Sequence, residues 1–204
     1  MKLYTTYTPS HKGLFENYFL RTLPAEFDLC AEEDPEQACP SGCFYQAGWD
    51  KTCYKKIVLF LKACEENLGG VFFYCGVDVQ FFGNVVDQLL LELEDFDIAC
   101  QDDVSAYCSG LFVCKASEKT LRMFEAMKAN YEKEDQATLN EHLHMCKHKK
   151  LSDRFFTYGH VTPRPWQGEK FAVPEDILIH HANFVIGVEQ KMEIMDYVRA
   201  KLLK

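Results

Sequence analysis

Val71-Phe72-Phe73-Tyr74-Cys75-Gly76-Val77-Asp78-Val79-Gln80-Phe81-Phe82 is a near-continuous apolar and aromatic run, opened by Gly69-Gly70 and interrupted by one carboxylate. A run this short and this apolar predicts a strand over 71–75 that is buried on both faces, as in a parallel sheet. Ionising Asp78 just past such a strand is costly unless a cation or a hydrogen-bond donor meets it. Carboxyl ends of parallel strands are also where open α/β sheets bind ligands. Asp78 is therefore a candidate metal or ligand contact, set against the simpler reading that it opens a turn before Gly83-Asn84.

Outward from this run, helices and strands alternate. Residues 2–6 predict a first strand, 13–23 a helix stopped before Pro24, and 27–30 a second strand. Residues 31–48, acidic and then rich in Gly, Pro and Cys, predict a long ordered loop. Trp49, Cys53, Ile57, Phe60, Leu61 and Cys64 recur at helical spacing, and Gly69-Gly70 ends that helix. Further helices are expected over 85–94, 117–132 with Ser117 as cap, 135–146 and 189–204. Strands are expected over 97–100, 111–114 and 177–181, and residues 147–170 are loop-like around a short strand at Phe155-Phe156. This alternation predicts one α/β domain over 1–204, with helices flanking a mainly parallel sheet and an antiparallel strand near its middle.

At 204 residues the chain can bury one sizeable core. Hydrophobic residues at 48% and charged residues at 26% are the balance of a globular domain. A net charge of -9 argues against nucleic acid as a partner, because phosphate binding needs a basic face. A polyanionic substrate would need a divalent metal or a few local lysines. The amino terminus lacks the apolar core of a secretory signal, and no run is long enough for a membrane span, so a cytoplasmic chain with reduced thiols is expected. Of the ten cysteines, Cys75, Cys100 and Cys114 sit in apolar runs. Cys30, Cys39, Cys43 and Cys53 cluster in a polar region, where Cys39-Pro-Ser-Gly-Cys43 could close a disulfide or hold half a zinc site. The second knuckle that zinc sites usually add is absent.

Four polar clusters interrupt the apolar pattern. Gly76-Val77-Asp78 is the first. Ser109-Gly110 precedes the strand at 111–114, and a small residue before glycine lets a ligand approach the backbone closely. In Glu134-Asp135-Gln136-Ala137, at a helix start, Asp135 can cap the helix while Gln136 points into a cleft. In His180-His181-Ala182-Asn183, followed by Gly187 and Lys191, a histidine leaving a buried strand is a good borderline metal ligand. The glycine amide and the ammonium behind it can hold an anion. Each has a plain structural counterpart: a turn, a cap, a core histidine.

In this order and spacing the clusters resemble the GT-A glycosyltransferases, specifically the nucleotide-diphospho-sugar transferases of the galactosyl, xylosyl and arabinosyl type. That family carries an Asp-x-Asp motif after an apolar strand, a small-residue-Gly pair opening a later strand, an Asp-Gln pair, and a late His followed by Gly and Lys. The counterparts here are Gly76-Val77-Asp78, Ser109-Gly110, Asp135-Gln136, and His181 with Gly187 and Lys191. The Lys55-Lys56-Ile57 helix is similar to the family's basic helix facing the donor. Gly76 replaces the first aspartate of the motif.

The resemblance implies a GT-A (Rossmann-like) fold and transfer of a sugar from a nucleotide diphosphate donor, UDP-linked, to a glycan or other hydroxyl acceptor, with retention of configuration. It implies Mn²⁺ or Mg²⁺ held by Asp78 and His181, which would neutralise the departing diphosphate. Lys191 and the Gly187 amide would face that diphosphate, Thr5, Thr6 and Tyr7 the nucleoside, and Lys56, Gly76, Ser109 and Gly110 the rest of the donor; Asp135, Gln136 and Asp103 would be the catalytic residues, with Asp135 beside the donor sugar as nucleophile or as stabiliser of an oxocarbenium-like state. Asp103, in Asp102-Asp103, would orient the acceptor hydroxyl. The chain can be one module of a longer protein. Two other readings compete: a catalytically weak nucleotide-sugar binder, because of Gly76, and a cysteine-rich protein organised by zinc.

Overall fold

A computed structural model describes residues 1–203. The apolar run becomes β3 (Val71–Cys75) at the heart of a 6-stranded sheet. Its alternate side chains enter two different cores. Phe73 and Cys75 face one apolar layer, Phe72 and Tyr74 the other, which is the double burial the run implies.

In strand order the sheet reads β2 (Asp28–Glu33), β1 (Lys2–Tyr7), β3, β6 (Ala106–Lys115), β5 (Ile98–Asp103) and β7 (His148–Lys150). β1 is parallel to both β2 and β3, and β5 is parallel to β7, whereas β6 runs antiparallel to β3 and β5. The sheet is thus mainly parallel with one reversed strand near its middle. The chain leaves β3, turns at Asp78, and continues as β4 (Val79–Phe81), which belongs to a 3-stranded sheet with β9 (Ile179–His181) and β8 (Phe155–Thr157).

On one face of the main sheet lie α1 (Lys12–Leu14), a π turn at Phe15–Phe19 and α2 (Leu20–Thr22), together with α4 (Val85–Leu93) and α7 (Val188–Leu202). The other face is covered by α3 (Trp49–Glu66), α5 (Glu118–Ala129) and α6 (Asp135–His142). There Phe60 of α3 meets Tyr74 and Phe112 edge to face, at centroid distances of 4.5 and 5.0 Å. Such pairs add about 0.5–1.5 kcal/mol each beyond their buried area. α5 begins at the expected Ser117, in a capping box with Thr120. α3 begins at Gly48 (φ 82°), where a Cβ would fall 1.8 Å from the carbonyl oxygen of Ala38, so only glycine fits.

Several boundaries differ from expectation. β6 starts at Ala106 rather than 111, so Ser109-Gly110 lies inside the strand, not before it. Residue Glu134 occupies the cap position of α6, and Asp135 is its first helical residue. The loop-like region after 146 contains β7 as well as β8. No helix among the described residues is long and apolar enough to cross a membrane.

Candidate active site

Strand ends and helix starts converge on one cleft of about 500 Å³. β1 delivers Thr6 and Tyr7, the turn after β3 delivers Gly76 and Asp78, and β6 delivers Ser109 and Gly110. Lys56 arrives from α3, Asp135 and Gln136 from α6, Asp103 from the end of β5, His181 from β9, and Gly187 and Lys191 from the start of α7. Thr5 is the exception among the sequence candidates. Its side chain is fully buried, its hydroxyl has no partner, and it does not line the cleft.

Asp78 and His181 do meet. His181 Nε2 lies 3.4 Å from Asp78 Oδ1. The tautomer follows from the neighbours. Gln101 donates its amide nitrogen to the carbonyls of Phe155 (2.9 Å) and Phe156 (3.3 Å), so its Oε1 must accept from His181 Nδ1 at 2.6 Å. The lone pair of Nε2 is then left facing the carboxylate, an arrangement that calls for a cation. Lys191 supplies one charge: its ammonium bonds Asp78 Oδ2, and the carbonyl of Ala182 at 2.7 Å. Burial alone would raise the Asp78 carboxyl, but Lys191 more than reverses that and holds it well below the usual carboxylate range.

The donor set suits a divalent metal: one ionised carboxylate, and one imidazole whose free nitrogen is fixed by a bond at its other nitrogen. Among the described residues no group of three or more His, Cys, Asp or Glu surrounds a metal position, so oxygens of a ligand would have to complete the shell. Gly76 is part of this geometry. A Cβ at 76 would lie 2.6 Å from Asp78 Oδ1, so a side chain there, an aspartate included, would displace the carboxylate.

The opposite wall is tightly cross-linked. Asp135 Oδ2 accepts from the Lys56 ammonium and from the Ser109 hydroxyl at 2.7 Å. Burial would raise the Asp135 carboxyl, and Lys56 more than reverses that; burial opposes the Lys56 charge in turn, and Asp135 pushes its pKa well above normal. Gln136 donates to Asp103 Oδ2 at 2.5 Å, and Asn183 donates to Asp103 Oδ1 at 3.1 Å. Asp103 is therefore a fixed acceptor held by two amides. Its neighbour Asp102 faces away and pairs with Lys150 at 2.6 Å.

Residues not singled out from sequence complete the cleft: Thr8 and His11 beside β1, Phe44 and Trp49 at its mouth, Cys108 and Asn183 near Asp103. Only Asn183 carried a signal, as part of the His-Ala-Asn segment. The cysteine cluster does not gather. Cys39 Sγ donates to the carbonyl of Cys43 at 3.5 Å, Cys43 Sγ to that of Ser41 at 3.4 Å, and Cys53 is buried in α3. All ten cysteines are free, so 39 and 43 form no disulfide.

A mixed sheet with one reversed strand, flanked by helices and opening a polar cleft at its strand ends, is the architecture of GT-A glycosyltransferases. Solved structures of this fold include the glycosyltransferase GlyE of Streptococcus pneumoniae TIGR4, at 15% identity and TM-score 0.59, where the match covers 98% of this chain and 63% of that one. The galactosyltransferase LgtC, in complex with donor and acceptor sugar analogues, matches at 13% identity and TM-score 0.58, over 97% of this chain and 96% of that one. A glycosyltransferase involved in glycosylation of the major capsid of PBCV-1 matches at 10% and 0.63, over 97% and 98%. The chain thus spans less than two thirds of the GlyE chain, at 63%. No curated protein matches it in sequence. The chain belongs to the nucleotide-diphospho-sugar transferase family, whose model matches residues 42–195.

Proposed function

We propose that this chain transfers a sugar from a nucleoside diphosphate sugar, a UDP-sugar, to a hydroxyl of a glycan, with retention at the anomeric carbon. The observation that carries the proposal is the convergence of Asp78 Oδ1 and His181 Nε2 at 3.4 Å, with the imidazole tautomer set by Gln101. Mn²⁺ or Mg²⁺ would be held by Asp78 and His181, and when bound would act as a Lewis acid on the diphosphate. Lys191, one turn into α7, and the Gly187 amide at its start add positive charge beside the same phosphates. Thr6 and Tyr7 face the nucleoside, with the Tyr7 ring steadied by stacking on Phe15 at 4.3 Å.

In the transfer, the bond from the anomeric carbon to the phosphate oxygen breaks and its electrons leave with the diphosphate. The acceptor oxygen bonds the carbon from the same face, and its proton passes to the departing phosphate oxygen. Asp135 is held at Oδ2 by Lys56 and Ser109, which suits it to fixing charge near the sugar. Gln136 spends its amide nitrogen on Asp103 and keeps its carbonyl oxygen for the developing positive charge. Asp103, held by Gln136 and Asn183, is placed to orient the acceptor. Ten free thiols suit a reducing, cytoplasmic setting.

A thermal-shift panel of nucleotide sugars with and without Mn²⁺, followed by release of free sugar, tests the proposal. A UDP-sugar that stabilises the protein only with metal, and is slowly hydrolysed, is the expected outcome. Metal-independent binding without release would instead favour a nucleotide-sugar binder in which Lys191 serves as the cation, a reading favoured by its bond to Asp78.

A further inference from the structure

Aromatic rings that the core does not claim stand at the cleft mouth, where Phe44 and Trp49 line it and Tyr45 packs against them. Phe44 is 48% and Tyr45 63% exposed. They cluster with Trp49 at centroid separations of 4.1 Å between the first two and 4.9 Å from each to the tryptophan. Tyr45 has a φ of 56°, a left-handed conformation that strains a bulky residue. Its hydroxyl donates to Glu134 Oε2 at 2.7 Å, so a specific bond holds this exposed ring in a strained backbone.

A second hollow, of about 370 Å³, lies beyond the first turns of α3. Tyr54 and Tyr131 line it with their rings 5.3 Å apart, and Tyr131 donates to the carbonyl of Asp50 at 2.5 Å. Trp49 lines the cleft and its chain neighbour Asp50 lines the hollow, so both cavities draw on the first turn of α3. Carboxylates are interleaved with the rings: Glu134 at the mouth, Asp50 and Glu36 at the hollow. Lys55 is occupied by Asp34 at 2.7 Å and by Glu36 at 2.9 Å, leaving Lys51 as the other cation.

Exposed ring faces flanked by carboxylates match one kind of ligand. The C–H face of a pyranose stacks on an aromatic ring, and its hydroxyls donate to carboxylates. An anionic chain would meet those carboxylates with like charge. The geometry points to an extended track for a neutral oligosaccharide acceptor, running from Phe44, Tyr45 and Trp49 at the cleft mouth to the hollow between Tyr54 and Tyr131. This inference rests on the sugar-transfer reading and names its acceptor as a chain of several uncharged sugars.

The test is an array of neutral gluco-, galacto- and xylo-oligosaccharides beside sialylated and uronate-containing ones, probed in UDP and Mn²⁺ with the parent, Phe44→Ser, Tyr54→Ser and Tyr54→Phe. The parent should prefer neutral chains and hold longer ones more tightly. Each serine variant should bind about tenfold more weakly, the loss expected for one contact ring, while Tyr54→Phe keeps parental binding. Melting curves establish that the variants fold. Preference for acidic glycans, binding of no glycan, or parental binding by both serine variants overturns the track. Calorimetry with UDP separates the two failures: a protein that takes UDP but ignores neutral glycans loses only the track, and one that takes neither loses the transferase reading as well.

Discussion

Two lysine–carboxylate pairs face each other across the cleft and are built to different ends. Lys56 and Asp135 have side chains 22% and 4% exposed, and the Ser109 hydroxyl takes the remaining reach of the same carboxylate oxygen. Lys191 and Asp78 are each 15% exposed, yet Asp78 keeps Oδ1 turned to an imidazole lone pair. The first pair, closed at Oδ2 by two donors, works as a strut between α3, β6 and α6. The second is open and poised for a ligand. What separates them is the neighbour of the free oxygen: Asp78 Oδ1 has an imidazole nitrogen 3.4 Å away, which makes the second pair the metal candidate.

Breaking the closed pair should cost most. Lys56→Met leaves the buried Asp135 carboxylate unpaired and should destabilise the fold by about 3–5 kcal/mol in urea unfolding. Unchanged stability would mean that the strut carries no load. At the open pair, Asp78→Asn keeps the shape but not the charge. It should cut Mn²⁺-stimulated transfer by roughly 10²–10³-fold while melting close to the parent, since the metal's share of charge stabilisation is several kcal/mol. Parental turnover in that variant would remove Asp78 from the metal proposal.

Lys191→Ala should weaken UDP binding by about 1.5–3 kcal/mol in calorimetry, the usual worth of a charged hydrogen bond. Unaltered affinity would show that the ammonium serves Asp78 alone. The closed pair also has a pH signature. The Asp135 carboxyl lies below its unfolded value of 3.8 in the folded protein, so its contribution is fully present above that value and fades as pH falls through the folded one. Asp135→Asn should remove that part of the acid limb, giving a stability profile that falls less steeply below pH 4. A limb as steep as the parent's would assign acid sensitivity to other carboxylates. The smallest effect is expected at Thr5, whose buried hydroxyl lacks a partner: Thr5→Val should change stability by no more than about 1 kcal/mol, and in the stabilising direction. A larger loss would reveal a partner for the hydroxyl.

The fold was legible where burial dictates composition. The run at 71–75 has no polar interruption because both its faces are covered, and α3 shows its apolar face at helical spacing. β7 gave no such signal, since His148-Lys149-Lys150 forms a polar sheet edge whose charges answer Glu92 and Asp102. At the site, Asp78 was legible because a carboxylate next to an apolar strand is expensive. The pairing of Lys56 with Asp135 was not, because 79 residues separate them. Which of the two adjacent histidines faces the cleft depends on strand alternation: His181 points in, while His180 is buried on the other side without a partner, its pKa lowered to about 3 by burial.

The ladder between β5 and β6 slips where the cleft begins: Cys100 pairs with Phe112 and Asp102 with Tyr107, so Gln101 alone stands opposite 108–111. That unpaired surplus frees Cys108, Ser109 and Gly110 from the sheet's two-sided rhythm. Its length can change while the pairs on either side stay in frame. Gain or loss of one residue there would re-aim Cys108 and Ser109, which line the cleft, between the fixed pairs Cys100–Phe112 and Asp102–Tyr107.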